Sequence, residues 1–146
     1  MYRRIVVGTD CSTTADIAVG KAAEIAKSMG ATLHVVSAFS EPGGAVMAAS
    51  ATAGVAPAEW QVSPIAQRDA QIEALGARLR SQGIDVTTSV VVGDPADALI
   101  AEAERTDADL LVVGDRGLKG IRGLLGSVPN RVTHKASLDV VVVHTT

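Results

Sequence analysis

The feature of this sequence that most constrains its fold is a regular alternation between short apolar runs and stretches with helical periodicity. The apolar runs lie at residues 4–8, 32–39, 84–92, 109–113 and 138–144, and the helical stretches at about 13–29, 65–82, 95–103 and 127–136. Strands that alternate with helices form parallel sheets with right-handed crossovers. We therefore predict an α/β fold: a single open five-stranded parallel sheet with helices on both faces.

The strands differ in ways that indicate their places in the sheet. Residues 4–8 are apolar on both faces, which is typical of a central strand. Residues 84–92 alternate between apolar and polar side chains in their first half, which is typical of an edge strand. We predict the strand order 3-2-1-4-5. In this order the carboxyl ends of the first and fourth strands meet at the switch point where open α/β sheets bind ligands.

Several helix ends are indicated by their residue types. Ser12 or Thr13 is predicted to cap the first helix, and Gly30 to end it. Asp94 followed by Pro95 predicts the N-cap and first turn of the third helix. Both helices therefore begin shortly after a strand, at the carboxyl edge of the sheet.

A glycine-rich stretch joins the fourth strand to the fourth helix. It contains Gly114 and Gly117 and ends at Gly126-Ser127-Val128. Glycines let the backbone approach a ligand closely, and a serine at a helix start offers a hydroxyl beside unpaired N–H groups. We interpret this stretch as a phosphate cradle. The alternative is a surface loop whose glycines only make turns.

Asp10 directly follows the first strand and is predicted to face Gly114 across the switch point. A carboxylate there can accept ribose hydroxyls or hold a metal ion that is bound to phosphates. The alternative is an aspartate that only stabilises a turn or caps a helix. The neighbouring Cys11 has either a redox role or a packing role.

Residues 41–64 break the alternation. They are rich in glycine, proline, alanine and serine and show no periodicity, so we predict a flexible loop that is either a mobile lid or partly disordered. Trp60 is the large aromatic residue of this loop. It either packs the loop against the domain or closes over a bound base.

Composition excludes several classes of protein. The net charge of −3 argues against a nucleic-acid binder, and the single cysteine excludes an internal disulfide and fits a reducing compartment. No apolar run approaches the ~18 residues that span a bilayer. At 146 residues the chain is long enough to bury ~70% of its unfolded surface as one domain. We expect a single cytoplasmic domain over residues 1–146, without a nucleic-acid or membrane partner.

The last strand contains four consecutive valines, Val140 to Val143. In the predicted order it lies at an outer edge, where an uncharged, strongly β-forming strand is an aggregation hazard unless it is covered. We predict a homodimer that pairs this strand with its copy through residues 138–146. The alternative is cover by a loop of the same chain.

No arrangement typical of a catalytic or metal site is apparent. The chain lacks the Gly-x4-Gly-Lys-Ser/Thr motif of P-loop enzymes, a nucleophile beside a base, and a pair of carboxylates placed for acid–base chemistry. His34 has no second His or Cys at metal-ligand spacing, so we interpret it as a hydrogen-bonded histidine of the sheet. We predict neither catalytic nor metal-ligating residues, and at most weak ATP hydrolysis.

Several segments together resemble the universal stress protein family over essentially the whole chain. They are Ile-Val-Val-Gly-Thr-Asp-Cys-Ser at 5–12, Ala-Asp-Leu-Leu-Val-Val-Gly at 108–114, Leu-Leu-Gly-Ser-Val at 124–128 and the valines at 140–143. The resemblance implies a Rossmann-like fold of the adenine nucleotide alpha hydrolase type and dimers paired through the last strand. In many members it also implies a bound adenine nucleotide.

The nucleotide-binding branch of that family is similar in its Gly-x2-Gly-x9-Gly-Ser/Thr motif. By this likeness the glycine stretch and Val128 would hold the phosphates, Asp10 would meet the ribose or a phosphate-bound Mg²⁺, Val35 would offer its backbone to adenine, and Val113 would line the ribose. The nucleotide-binding residues that we expect are Thr9, Asp10, Val35, Val113, Gly114, Arg116, Gly117, Gly126, Ser127 and Val128.

The chain departs from the family pattern at two positions. Only the residues 118–125 separate Gly117 from Gly126, one fewer than the motif asks. Cys11 stands where a glycine or phenylalanine is common. A shorter loop would shift the N–H groups that meet the β- and γ-phosphates, so ATP is less expected than AMP or cyclic AMP.

Three functions follow from these observations. The first is a dimeric regulatory protein of the stress response that binds an adenine nucleotide. The second is a dimeric interaction module without nucleotide binding, and the third is a slow ATP hydrolase.

Overall fold

The sheet has the predicted order, β3-β2-β1-β4-β5, with every neighbouring pair parallel. A computed structural model describes residues 1–39, 64–115 and 127–145. Its elements are β1 (Arg4–Gly8), α1 (Thr13–Met29), β2 (Thr32–Phe39), α2 (Pro64–Ser81), β3 (Val86–Val92), α3 (Pro95–Arg105), β4 (Leu110–Gly114), α4 (Val128–Lys135) and β5 (Asp139–Val143). The α/β fold with an open parallel sheet is therefore confirmed.

The central strands are buried on both faces, as their composition predicted. Ile5, Val6 and Val7 of β1 are fully buried, and every residue of β4 is buried. Successive side chains of a strand point to opposite faces, so each of these strands contributes to two cores. The edge strand β3 is mostly half-buried or exposed.

The helices form a layer on each face of the sheet. On one face, α1 and α2 pack on Ile5, Val7 and Leu33, largely through alanines of α1 and through Ile72, Leu75 and Leu79 of α2. On the other face, α3 and α4 pack on side chains that include Val6, Leu111 and Val113. The first two helices and the last two are thus separated by the sheet.

Helix caps confirm most of the predicted boundaries. The Ser12 side chain accepts a hydrogen bond from the Ala15 N–H at 3.1 Å, so Ser12 rather than Thr13 caps α1. Gly30 ends α1 with φ = 64°, the left-handed conformation that glycine adopts without strain. Asp94 caps α3 by accepting from the Asp97 N–H at 3.2 Å.

β3 begins at Val86, two residues later than predicted. The Ile84 N–H donates to the Leu79 carbonyl at the end of α2, so Ile84 belongs to the chain reversal that follows the helix. Its side chain is nevertheless buried. The apolar residue at 84 therefore reports burial in the core rather than membership of the strand.

His34 is hydrogen-bonded, as predicted for a histidine of the sheet. Its Nδ1 contacts Thr87 Oγ1, and its Nε2 lies 3.2 Å from both Glu102 Oε2 and Ser89 Oγ. Within the described residues, no helix is long and apolar enough to cross a membrane. The predicted flexible loop at 41–64, with Trp60, falls almost entirely outside the described residues, as does most of the glycine-rich stretch.

Candidate functional site

The carboxyl ends of β1, β2 and β4 border a narrow crevice at the predicted switch point. It contains about 450 Å³ of atom-free space, including solvent at its mouth. The residues that line it are Gly8, Thr9, Asp10, Ala15, Val36, Ala38, Pro95, Leu99, Val113, Gly114 and Val128. Five of the predicted nucleotide-binding residues thus come together here: Thr9, Asp10, Val113, Gly114 and Val128.

The turn from Thr9 to Ser12 carries Asp10 into the crevice and is held by several hydrogen bonds. The Thr9 N–H donates to the Val36 carbonyl at 2.9 Å, and the Cys11 N–H donates to Thr9 Oγ1 at 3.0 Å. Asp10 Oδ1 accepts the Ser12 N–H at 2.9 Å. Asp10 therefore has the turn-stabilising role that was the alternative interpretation, and it also lines the crevice.

Cys11 has φ = 62°, a left-handed conformation that is uncommon for a residue with a side chain. This backbone gives a physical reason why glycine suits the position. Cys11 also borders a second, more open cleft between α1 and α2, together with Asp16, Gln71 and Arg78, which contains about 760 Å³ of atom-free space including open solvent. No disulfide partner exists, because Cys11 is the chain's single cysteine.

Helix α2 makes a contact with this turn that the sequence did not reveal. Nη1 of the half-buried Arg68 donates to the carbonyl oxygen of Asp10. The two residues lie 58 positions apart, so neither helical nor strand periodicity signals the contact. Arg68, the fifth residue of α2, links this helix to the loop that bears the candidate ligand-binding carboxylate.

Val35 is not among the described residues that line the crevice. It pairs with Val7 on one side and Thr88 on the other, and its side chain packs in the core on the side of the sheet that α1 and α2 cover. β2 continues to Phe39, three residues past Val36, which pairs with the last residue of β1. Val36 and Ala38 line the crevice at this end of β2. The expected contact between the Val35 backbone and adenine stays a prediction.

Asp115, the residue that follows β4, is hydrogen-bonded to the end of β5. The Asp115 N–H donates to the Val143 carbonyl at 2.8 Å, and Asp115 Oδ1 accepts from Thr145 Oγ1 at 2.6 Å. His144 Nδ1 lies 2.6 Å from the other carboxylate oxygen. The hydrogen bond from Thr145, then that from His144, lowers the pKa of Asp115 to about 2. Asp115 is therefore engaged with β5 rather than presented to the crevice.

The start of α4 forms the opposite rim. The side chain of Ser127 caps the helix by accepting from the Asn130 N–H at 3.4 Å, and Ser127 itself is exposed. Val128 is half-buried and faces the crevice. Of the other predicted residues, Arg116, Gly117 and Gly126 lie outside the described residues.

The described lining fits an adenine nucleotide in its chemistry. Val36, Leu99 and Val113 provide apolar walls suited to a purine, and Asp10 provides an acceptor for hydroxyl groups. A Cβ at Gly8 would lie 2.7 Å from Leu99 Cδ1, so a side chain there would displace Leu99 from the crevice wall. Among the residues that the structure describes, no group of three or more His, Cys, Asp or Glu is arranged to hold a metal ion.

Comparison with known proteins identifies the family. The model of the universal stress protein family matches residues 1–144. The chain is 39% identical to universal stress protein Rv1636 of Mycobacterium tuberculosis, over 99% of this chain and 98% of the relative. The chain belongs to the universal stress protein family. The sequence resemblance is thus confirmed over essentially the whole chain.

Two solved structures of universal stress proteins contain adenine nucleotides. One, in complex with cAMP, is 35% identical to this chain and superposes with a TM-score of 0.74 over 99% of this chain and 98% of the other. The second, from Archaeoglobus fulgidus in complex with dAMP, is 25% identical with a TM-score of 0.66 and 97% of each chain covered. These nucleotides are properties of those proteins.

Proposed function

We propose that this chain is an adenine-nucleotide-binding regulatory protein of the stress response. The observation that carries the proposal is the crevice at the switch point, where Asp10 stands beside apolar walls at the carboxyl ends of β1 and β4. Family members with cAMP or dAMP bound, at 35% and 25% identity, support an adenine nucleotide as the ligand.

In the proposed complex, Val36, Ala38 and Leu99 contact the base, and Asp10 Oδ2 accepts from the ribose. Gly114 allows the backbone to approach the ligand, while Ser127 and Val128 meet the phosphate at the start of α4, where unpaired N–H groups favour an anion. Arg116, Gly117 and Gly126 complete the phosphate site by family likeness. Mg²⁺, if it accompanies the nucleotide, would be held by phosphate oxygens together with Asp10, the one carboxylate of the described lining.

We propose a preference for AMP or cyclic AMP over ATP. The segment between Gly117 and Gly126 is one residue shorter than the family motif. A shorter segment has fewer N–H groups to place around the β- and γ-phosphates, whereas the base, ribose and first phosphate contact other residues. The ratio of affinities for AMP and ATP measures this preference directly.

The first test is denaturation of the purified protein and mass analysis of the released small molecules. Calorimetric titration of the emptied protein with ATP, ADP, AMP and cyclic AMP follows. We expect binding of a monophosphate at micromolar concentration, on the scale of ordinary small-ligand affinities. No released nucleotide and no heat at millimolar ligand would contradict the proposal and leave a dimeric interaction module.

Asp10 variants test the assigned site. Asp10→Ala is expected to weaken nucleotide binding about tenfold, the scale of a lost hydrogen bond to a charged group. Asp10→Asn retains an oxygen that can accept the Ser12 N–H. This variant therefore separates the effect of losing the charge on affinity from the effect of disturbing the turn. The matched control is Glu104→Ala, which removes an exposed carboxylate of α3 that is absent from the crevice lining. Equal affinities in the Asp10 and Glu104 variants would contradict the assignment.

We also propose that the protein is a homodimer paired through residues 138–146 and that it acts in the cytoplasm. β5 is an outer strand of the sheet, and Val142 is 43% exposed although it is apolar. Pairing with a second β5 would cover this edge. Light scattering of the purified protein measures the oligomeric state, and a monomer at micromolar concentration would contradict the dimer.

A further inference from the structure

Helix α4 has little apolar surface with which to hold its position. Of its eight residues, only Pro129 and Val132 are buried. The helix contacts α3 more extensively than it contacts either β4 or β5. The placement of Ser127 and Val128 at the start of α4 therefore depends on what joins α4 to α3.

A cluster of charged side chains makes this join. Arg131 Nη1 lies 2.7 Å from each carboxylate oxygen of Asp94, and its Nη2 lies 3.2 Å from Asp97 Oδ1. Lys135 Nζ lies 3.4 Å from the same oxygen of Asp97. The Arg131 side chain is only 28% exposed, so it is screened less by solvent than an ordinary surface cation.

The cluster lies next to residues that line the crevice. Asp94 is the N-cap of α3, and the next residue, Pro95, lines the crevice. Arg131 is in the first turn of α4, three residues after Val128, which lines the crevice from the other side. The contact between Arg131 and Asp94 thus connects the beginnings of the two helices that bound the same opening.

We propose that Arg131 is a positioning residue of the nucleotide site, acting through Asp94. It touches no ligand in this proposal. It fixes the spacing between the starts of α3 and α4 and thereby orients Ser127 and Val128 towards the phosphate. The inference rests on the proposed function, because its effect is read in nucleotide affinity.

The choice of arginine follows from the geometry. A planar guanidinium contacts Asp94 and Asp97 simultaneously, whereas a lysine ammonium is a single point charge on a flexible stem. Lys135 already contacts Asp97 alone and so cannot replace the contact to Asp94. We therefore expect Arg131→Lys to be intermediate between the natural protein and Arg131→Met.

The experiment measures calorimetric affinity for AMP and cyclic AMP together with the thermal unfolding midpoint, in the full-length protein. The variants are Arg131→Met, Arg131→Lys, Asp94→Asn and the double variant Arg131→Met/Asp94→Asn. Asparagine caps helices about as well as aspartate, so Asp94→Asn removes the charge while keeping the cap. The matched control is Arg105→Met, because Arg105 pairs with Glu102 within α3 and does not bridge the two helices.

We expect Arg131→Met and Asp94→Asn each to weaken binding about fivefold, the upper range for a partly exposed ion pair. The double variant should lose no more than Arg131→Met alone, because that single variant already removes the contact to Asp94. Arg105→Met should bind within about twofold of the natural protein, as surface changes usually do.

Each other outcome is informative. Natural affinity in Arg131→Met, even with a lower unfolding midpoint, would overturn the positioning role and leave the nucleotide proposal intact. Additive losses in the double variant would also overturn it. If the natural protein binds no nucleotide, both proposals fail. If Arg131→Met does not fold, Asp94→Asn decides, because it retains Arg131 and the helix cap.

Discussion

The two outer strands of the sheet have the same topological position but opposite chemistry. On β3, Thr87 and Ser89 hydrogen-bond with His34, and Thr88 donates to Glu73 of α2. On β5, the four residues after Asp139 are valines, and Val142 remains 43% exposed. After its first residue, β3 has three polar side chains that contact the same chain, followed by valines at its end, whereas β5 has only valines after Asp139. The composition of an edge strand therefore indicates whether a second molecule is expected there.

The strongest test of this difference places the same charge on both edges. Val142→Lys should weaken the proposed homodimer at least about 100-fold, because an unpaired ammonium buried in an interface costs several kcal/mol. Val92→Lys on β3, where Val92 is 49% exposed, should leave the oligomeric state unchanged. Analytical ultracentrifugation over a concentration series measures both. Dissociation by the β3 variant alone would reverse the assignment of the two edges.

A second test concerns the polar contacts at the β3 edge. His34→Ala should lower the free energy of unfolding by about 2 kcal/mol, because buried acceptors and hydroxyls around it lose their partner. Glu102 keeps its contact with Arg105, which limits the loss. Thr88→Val is the control, since its partner Glu73 is exposed, and we expect a change within about 0.5 kcal/mol. Urea unfolding provides the values. Equal effects in the two variants would show that His34 is not central to this edge.

The smallest expected effect lies at the carboxyl end of β5. NMR titration should give Asp115 a pKa of about 2, against its ordinary 3.8, because Thr145 and His144 hydrogen-bond to the charged form. A lowered pKa in the folded state means that this carboxylate stabilises the protein above about pH 4. That contribution is lost as the pH falls towards 2.

Thr145→Val removes the first of these hydrogen bonds and should raise the pKa of Asp115 towards 3.8. Thr133→Val is a suitable control, because Thr133 donates to the Asn130 carbonyl within α4. An unchanged pKa in Thr145→Val would show that His144, rather than Thr145, determines the titration.

Sequence patterns were sufficient for the strand order and most helix ends. Apolar runs marked the central strands, and Ser12, Gly30 and Asp94 acted at the helix ends because capping is a local effect. These patterns did not predict which residues of neighbouring strands pair, nor which side chains reach the crevice. Val35 and Val36 are equally apolar, but their side chains point to opposite faces of the sheet, and only Val36 of the two lines the crevice.

Long-range polar contacts were also missed. Arg131 and Asp94 are 37 positions apart, and Arg68 and Asp10 are 58 apart. Each residue alone is typical of a solvated helix face or a turn. Their pairing depends on how each helix packs on the sheet beside its neighbours, which no local pattern encodes.

The position of Cys11 in the turn beside the crevice has a practical consequence. The chain's single thiol is half-buried and adjoins Asp10 at the wall of the crevice. One small fluorine or nitroxide label attached there would report on this turn without any engineered site. Its spectrum, recorded as nucleotide is added, would distinguish a ligand that reaches the turn from one that binds elsewhere.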